Sequence, residues 1–423
     1  MTLKAVLIGS GNAASFHAHA FREAGFVLRG VLSRNNSTSV KEFVNKFNIP
    51  NTFSNIDEVL DSKDEWDVAL VACPTEFSFG YVCKLIKSGK PILAEKPISY
   101  DLDDLDFLQR FSNIKVAFNR RYYETVDLFK DNIVAAGFGN IKVNIPEKSS
   151  KISSPGALPY LVYENSIHIF DILNYCFGEI DWKSASSVSS NSNELISVTA
   201  LGSSRNYSIS LDMSFGAPEN FIISAFLGSK KIELKPIETL SVIEGMKIIE
   251  PSESFPLRTY SPNIIYQNSV SIRDNLKPGI LEQAKSFLSF AQGKSEKKLG
   301  TIQDLSNAIR SIKDIEKLYR KIVFVSFLAA YLISIRILGV LIFLQVLISL
   351  IILFNIKNLN LLSFVQTYFK EFFTSFLIII SFVYLMNPIL WLDPYEFINS
   401  IKWMSNYFND ICTLTLGDCM DSL

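Results

Sequence analysis

Three groups of residues have types and spacings that could do chemistry. The first is Lys96, set in Glu95-Lys96-Pro97 directly after the short apolar run Pro91 to Ala94. An ammonium at a strand end can hydrogen-bond a hydroxyl undergoing oxidation and stabilise developing alkoxide character. Pro97 restrains the backbone beyond it. The second group is Glu164, His168 and Asp171, within Leu161 to Leu173. Read as one helix, their i,i+4 and i,i+3 spacings put all three on a common face. A histidine beside carboxylates titrates near neutrality, as a general base for alcohol oxidation requires. The third is the turn Gly9-Ser10-Gly11-Asn12-Ala13-Ala14. Between a strand and a helix, its first glycine permits a tight turn and its second lets backbone approach a pyrophosphate. The small Ala14 allows close helix packing, and the helix N-terminus favours the anion. Each group also has a reading without chemistry: a solvated loop lysine, a structural histidine, a turn that binds nothing.

The elements around these residues must position them. Leu3 to Ile8 is an apolar run expected of a buried parallel strand, and Ala13 to Ala24 reads as a helix. Strand-like runs follow at Phe26–Ser33, Trp66–Ala72, Pro91–Ala94 and Lys115–Phe118, alternating with helical stretches. This alternation predicts an α/β domain over residues 1–120, a doubly wound parallel sheet with its ligand crevice at the carboxyl ends of the strands. Lys96 and the glycine turn both lie at such ends, as does Cys73-Pro74-Thr75. No acid occurs between Gly25 and Val40, where an NAD-type ribose contact belongs. Ser33 and Arg34 stand there instead. Arg34 could pair with a 2′-phosphate or stack on adenine, which favours NADP over NAD and leaves both open.

From Arg121 the pattern changes. A helix at Thr125–Ala136 precedes strand-like stretches at Ile141–Ile145, Leu195–Ala200, Tyr207–Phe215, Phe221–Phe226 and Lys231–Leu234. An α+β domain with a mostly antiparallel open sheet is expected over 121–321. Two helices, Gly279–Ala291 and Thr301–Arg320, should pack back on the sheet.

Taken in order, the glycine turn, Ala72-Cys73-Pro74-Thr75, Gly89-Lys90-Pro91-Ile92-Leu93-Ala94-Glu95-Lys96-Pro97 and Phe118-Asn119-Arg120-Arg121 resemble the glucose–fructose oxidoreductase, inositol dehydrogenase and rhizopine catabolism (Gfo/Idh/MocA) family. The resemblance covers roughly residues 1–321. It implies a Rossmann domain followed by an open-sheet domain, with hydride transfer between a nicotinamide and a sugar, sugar-nucleotide or polyol carbon. Oligomer contacts through the open sheet are also implied. His168 and Asp171 match the family's D-x-x-x-H-x-x-D helix, Glu164 stands where aspartate is usual, and Ser78 replaces a histidine found in many members. The implied roles are His168 as acid or base, Lys96 polarising the oxygen, and Glu164 and Asp171 orienting His168 or substrate hydroxyls. Asn119, Arg120 and Arg121 are assigned to substrate or the nicotinamide side. Gly9, Ser10, Gly11, Asn12, Ala13, Ser33, Arg34, Cys73, Pro74, Thr75, Glu95 and Lys96 are assigned to the cofactor. An inactive nucleotide-binding protein is the alternative.

Composition bounds the rest. Lysine and arginine (41) nearly balance aspartate and glutamate (42), so no global charge points to nucleic acid. Three histidines and five cysteines without a paired spacing point away from a metal centre or disulfide framework, and towards a reduced, cytoplasmic module. Residues 322–423 are different in kind. Ile322–Ile335, Ile337–Phe354 and Phe372–Trp391 are apolar runs, and at about 1.5 Å per residue the 18-residue second run nearly spans a bilayer's hydrocarbon. Lys313, Lys317, Arg320 and Lys321 before the first run place the oxidoreductase module on the cytoplasmic side. Ser334–Gly339 and Asn387–Trp391 resemble segments of membrane glycosyltransferases that use polyprenyl-phosphate sugars. A membrane-attached enzyme of surface-polysaccharide synthesis, or fusion to a glycosyltransferase fragment, is therefore expected.

Overall fold

The computed structural model describes residues 2–33, 38–148, 157–190, 194–272 and 276–320. The described residues all fall in the first of the chain's two units, 1–328. The apolar runs from Ile322 onward, with their expected membrane spans and glycosyltransferase-like segments, lie outside the described residues, as does Arg34. Among the described residues no helix is long and apolar enough to cross a membrane.

Six strands open the first unit: β1 (Lys4–Ile8), β2 (Val27–Leu32), β3 (Asn51–Phe53), β4 (Val68–Val71), β5 (Ile92–Ala94) and β6 (Ile114–Val116). They form one parallel sheet in the order β3-β2-β1-β4-β5-β6. Helices α1 (Asn12–Ala24), α2 (Thr38–Phe47), α3 (Ile56–Asp61), α4 (Thr75–Leu85) and α5 (Leu102–Leu108) connect them. Helices cover both faces, so strand residues on both faces are buried and the central strands are apolar throughout. Val68, Leu70 and Val71 of β4 are fully buried, each contributing about 1.5–3 kcal/mol by leaving water. Strand order reverses between β1 and β4. The crevice at that reversal is flanked by the glycine turn after β1 and by Cys73-Pro74-Thr75 after β4.

A second sheet of eight strands follows, in the order β14-β13-β12-β11-β7-β10-β9-β8. Its members are β7 (Gly139–Glu147), β8 (Asp181–Ser189), β9 (Leu195–Ser204), β10 (Tyr207–Phe215), β11 (Ile222–Leu227), β12 (Lys230–Leu234), β13 (Thr239–Ile249) and β14 (Thr259–Ser269). Only β7 and β10 pair in parallel. One face packs on α6 (Glu124–Ala136) and α7 (Ile167–Phe177), through Phe129, Phe177 and Tyr207 among others. The opposite face leaves Ile196, Leu201 and Phe226 exposed.

Helix α8 (Ile280–Ala291) returns to the first sheet, where Phe287 packs 5.9 Å from Phe21 and 6.1 Å from Phe26 between ring centroids. Just before the last described helix, residues 302–320, Val116 N–H donates to the Gly300 carbonyl at 2.8 Å. The chain's late segment thus completes the core begun by its earliest strands.

One element differs from expectation in a way that matters for the site. The run around His168 is not one regular α-helix. It passes through a π turn, Val162–Ser166, before α7 begins at Ile167. Wider turns shift the side-chain register, so the regular α-helical i,i+4 geometry expected of Glu164 and His168 does not hold.

Candidate active site

The cleft at the strand ends is an open groove of about 580 Å³. Gly9 to Ala13, Ser33, Cys73, Pro74, Thr75, Glu95, Lys96 and Glu164 all line it. Gly9 adopts φ +110°, and a Cβ there would stand 2.3 Å from the Ala72 carbonyl oxygen, so only glycine fits. Gly11 is different: a Cβ would meet nothing within 4 Å. Packing does not demand this glycine, which lines the groove at the N-terminus of α1. No side chain caps that helix end. Such a concavity of backbone donors fits the diphosphate of a dinucleotide. At the end of β2, Ser33 receives a hydrogen bond from Ser10 Oγ at 3.3 Å, tying the ribose-side residue to the turn.

Glu95 and Lys96 leave β5 on the floor of this groove. His17, one helical turn into α1 and 1% exposed, donates through Nε2 to Glu95 Oε1 at 2.7 Å. Glu95 Oε2 accepts from the Lys96 N–H at 3.1 Å. Burial raises the Glu95 carboxyl, but the His17 bond and the Lys96 charge outweigh it and hold its pKa at about 2. Both carboxylate oxygens are therefore committed, and they fix the backbone from which the Lys96 side chain departs. His17 was counted among the three histidines, yet its pairing with a residue 78 positions away carries no sequence signal.

The Lys96 ammonium donates to the Glu164 carbonyl oxygen, on the π turn of the second domain. Burial first, then repulsion by Arg120 and Lys277, pulls the amine below the ordinary lysine range against the attraction of Glu95 and Glu164. The Glu164 carboxylate accepts instead from Tyr100 Oη at 2.8 Å. Tyr100, pushed up to about 12 by burial and then by that carboxylate, stays a hydrogen-bond donor. Glu147, at the end of β7, anchors the turn by accepting from Asn165 Nδ2 at 2.9 Å and Ser166 Oγ at 2.8 Å.

His168 is 6% exposed, edge-on to Phe118 with 6.0 Å between ring centroids, and its Nδ1 has no partner. Burial, then the positive charges of Lys96, Arg120 and Lys277, holds the imidazole well below its ordinary value. It is neutral and able to accept a proton.

Two sequence-based assignments need correction. Asp171 does not orient His168. Its Oδ2 accepts from Arg121 Nε at 2.8 Å and its Oδ1 from Arg121 Nη2 at 2.5 Å, with side-chain exposures of 1% and 2%. Asp304 stands 3.1 Å from the same nitrogen. Burial disfavours a charged Arg121, but Asp171 and Asp304 reverse this and hold the guanidinium above its ordinary range. This pair is bidentate and dry, joining the loop after β6 to α7 and the last helix. Neither residue is available to a substrate. Asn119 likewise spends its side-chain N–H on the Pro278 carbonyl at 3.0 Å. Arg120 alone of the three points toward the site, donating to Asn165 Oδ1 at 3.2 Å.

Residues 3–113 match the model of the Gfo/Idh/MocA oxidoreductase family, described as an NAD-binding Rossmann fold. A myo-inositol 2-dehydrogenase of Thermotoga maritima is 23% identical over 184 residues. That match covers 41% of this chain and 54% of the relative, so the chain spans about half the length of the curated relative. Among solved structures, a levoglucosan dehydrogenase in complex with NADH and L-sorbose has a TM-score of 0.60 at 17% identity, covering 76% of this chain and 98% of its own. The scyllo-inositol dehydrogenase of Lactobacillus casei, solved with NAD(H) and scyllo-inositol, has a TM-score of 0.58 at 14% identity, over 76% and 98%. At these identities the likeness is one of fold, and it extends across both sheets.

Proposed function

We propose that the chain is an NAD(P)-dependent oxidoreductase acting on a CH–OH group of a sugar or polyol. One observation carries this reading: Lys96, which lines the dinucleotide groove, is joined to the π turn that leads into His168. A bound nicotinamide would supply the hydride acceptor or donor. The protein's own part is to hold the reacting oxygen and move its proton. Lys96, fixed through Glu95 and His17, can donate to that oxygen and stabilise negative charge on it. Neutral His168 can take the hydroxyl proton, or return it in reduction once protonated. NADP is the cofactor favoured by Arg34 and by the absence of an acid at the end of β2.

Nicotinamide fluorescence on titrating the full-length protein with NADH and NADPH, followed by turnover screening on sugars and polyols, tests this reading. Arg34→Ala should weaken NADPH alone. A second reading, dinucleotide binding without catalysis, draws on Glu164 being engaged by Tyr100 and on Ser78 being buried. Binding without turnover, unchanged by Lys96→Ala, would select it. A second copy of the chain is the partner suggested by the exposed apolar residues Ile196, Leu201 and Phe226; light scattering of a Phe226→Glu variant tests this. Membrane attachment through 322–423, with the enzyme module on the cytoplasmic side, rests on the apolar composition of that segment. Recovery of the full chain in the supernatant after membranes are pelleted would exclude it.

A further inference from the structure

Neighbouring arginines at the end of the first sheet have opposite surroundings. Arg121 is buried with two carboxylates. Arg120 donates to the Asn165 amide oxygen and bonds Tyr123, while its Nη1 is buried with no partner. Its guanidinium lies 5.1 Å from the Phe221 ring centroid. The nearest acid on this path, Glu147, is reached only through Asn165 and already accepts from Asn165, Ser166 and the Lys148 N–H.

Two more cations share this neighbourhood. Lys96 bonds the carbonyl of Glu164, the residue adjacent to Asn165. Lys277 precedes Pro278, whose carbonyl receives Asn119, the residue adjacent to Arg120. Lys277 lies 4.5 Å from the Phe16 ring centroid. Among the described residues, none of the three makes an ion pair with a carboxylate within 4 Å. Glu95 and Glu164 do attract Lys96, and Glu147 and Glu238 attract Arg120, but from farther away. The charges acting on His168 come from Lys96, Arg120 and Lys277, and all are positive. Lys277 is exposed, whereas Lys96 and Arg120 are partly buried and Arg120 Nη1 is fully so; withdrawing such charge from water without a counter-ion is costly, and proteins normally pair it, as this chain does at Arg121.

We propose that the substrate of this site carries an anion, a carboxylate or a phosphate, that docks among Lys96, Arg120 and Lys277. This rests on the oxidoreductase reading and narrows its substrate class to acidic sugars or polyols. The planar guanidinium of Arg120, with one nitrogen uncommitted, suits either anion. The docked anion would also offset the positive field on His168 and so restore its strength as a base.

The test uses the full-length protein loaded with NADH, at low ionic strength, titrated calorimetrically with D-glucuronate, D-glucose 6-phosphate and D-glucose. One of the two acids should bind at least about tenfold more tightly than D-glucose, the scale of a charge-assisted hydrogen bond. Which acid it is separates carboxylate from phosphate. Arg120→Gln should erase that margin and leave NADH binding intact. Equal binding of all three sugars, no binding of either acid, or a margin that survives Arg120→Gln overturns the proposal. A ligand-free measurement decides independently. The melting temperature of Arg120→Gln should equal or exceed the wild type's, while that of Arg121→Gln should fall by several degrees. A fall as large in Arg120→Gln would mean the folded chain already supplies its counter-charge, and the proposal fails. Loss of NADH binding by the wild type would instead count against the oxidoreductase reading.

Discussion

Replacing Asp171 by asparagine separates a residue of the fold from a residue of the site. In the native protein its carboxylate makes two hydrogen bonds to Arg121, at 2.8 and 2.5 Å, in a region only 1–2% exposed. The substitution keeps the shape but leaves a buried guanidinium with Asp304, whose side chain is 31% exposed, as its remaining carboxylate. Removing one partner of a buried pair costs about 3–5 kcal/mol. Asp304 retains part of the attraction, so the expectation lies at the lower end, about 3 kcal/mol. With about 2–4 °C per kcal/mol for a unit of this size, the melting temperature should fall by about 6–12 °C. Scanning calorimetry of the full-length protein reads this directly. Dinucleotide binding measured well below the transition should be unchanged, because the pair lies away from the groove-lining residues. A melting temperature within about 1 °C of wild type, together with a raised KM, would refute the reasoning and return Asp171 to the substrate.

Three further outcomes follow from the same structure. Gly9→Ala should unfold or grossly destabilise the nucleotide domain, since its Cβ would stand 2.3 Å from the Ala72 carbonyl at positive φ. Gly11→Ala should fold normally yet lose dinucleotide affinity; circular dichroism and nicotinamide fluorescence on both variants check the contrast. His168 stays neutral in the fold, where burial and then Lys96, Arg120 and Lys277 depress it, but protonates in the unfolded chain near its ordinary value of 6.5. The unfolded state then binds more protons, so stability is lost as pH falls below about 6.5. Urea midpoints at pH 7.5 and 5 should show that loss, reduced in His168→Gln; an identical pH response in both proteins would contradict it. His17→Ala should leave a partly buried Glu95 carboxylate short of a donor and lower the melting temperature, and His17→Gln should restore part of the loss.

Sequence reading was most successful where chemistry and local pattern coincide. Short apolar runs ending in glycine, proline or a charged residue marked β1, β4 and β5, because strands buried on both faces leave no polar alternation to misread. The second sheet was harder. Its serine-rich β8 and its largely exposed β13 and β14 do not alternate, and Pro262 within edge strand β14 argues against a strand when read locally. The parallel pairing of β7 with β10 depends on a crossover that no short window contains. At the site, Lys96 and the glycine turn were legible from their place at strand ends. Arg121 and Asp171 were misassigned because their partnership spans 50 positions, and an arginine beside a motif looks the same whether it faces a ligand or the core. The π turn was hidden for a related reason: α and π geometries share a composition, and what fixes this one includes Glu147 on a distant strand.

The central claim is that the groove beside Lys96 binds a nicotinamide dinucleotide and that Lys96 acts on the substrate oxygen. Stopped-flow nicotinamide fluorescence of the full-length protein, wild type against Lys96→Met, with NAD(P)H and an acidic ketose, or with NAD(P)+ and the corresponding alcohol, tests it most directly. The account predicts similar dinucleotide affinity in the two proteins and a hydride-transfer rate lower by about 100-fold or more in Lys96→Met, the scale of losing one donor to a developing oxyanion. An equal rate in both proteins, or no dinucleotide binding by the wild type, would contradict it.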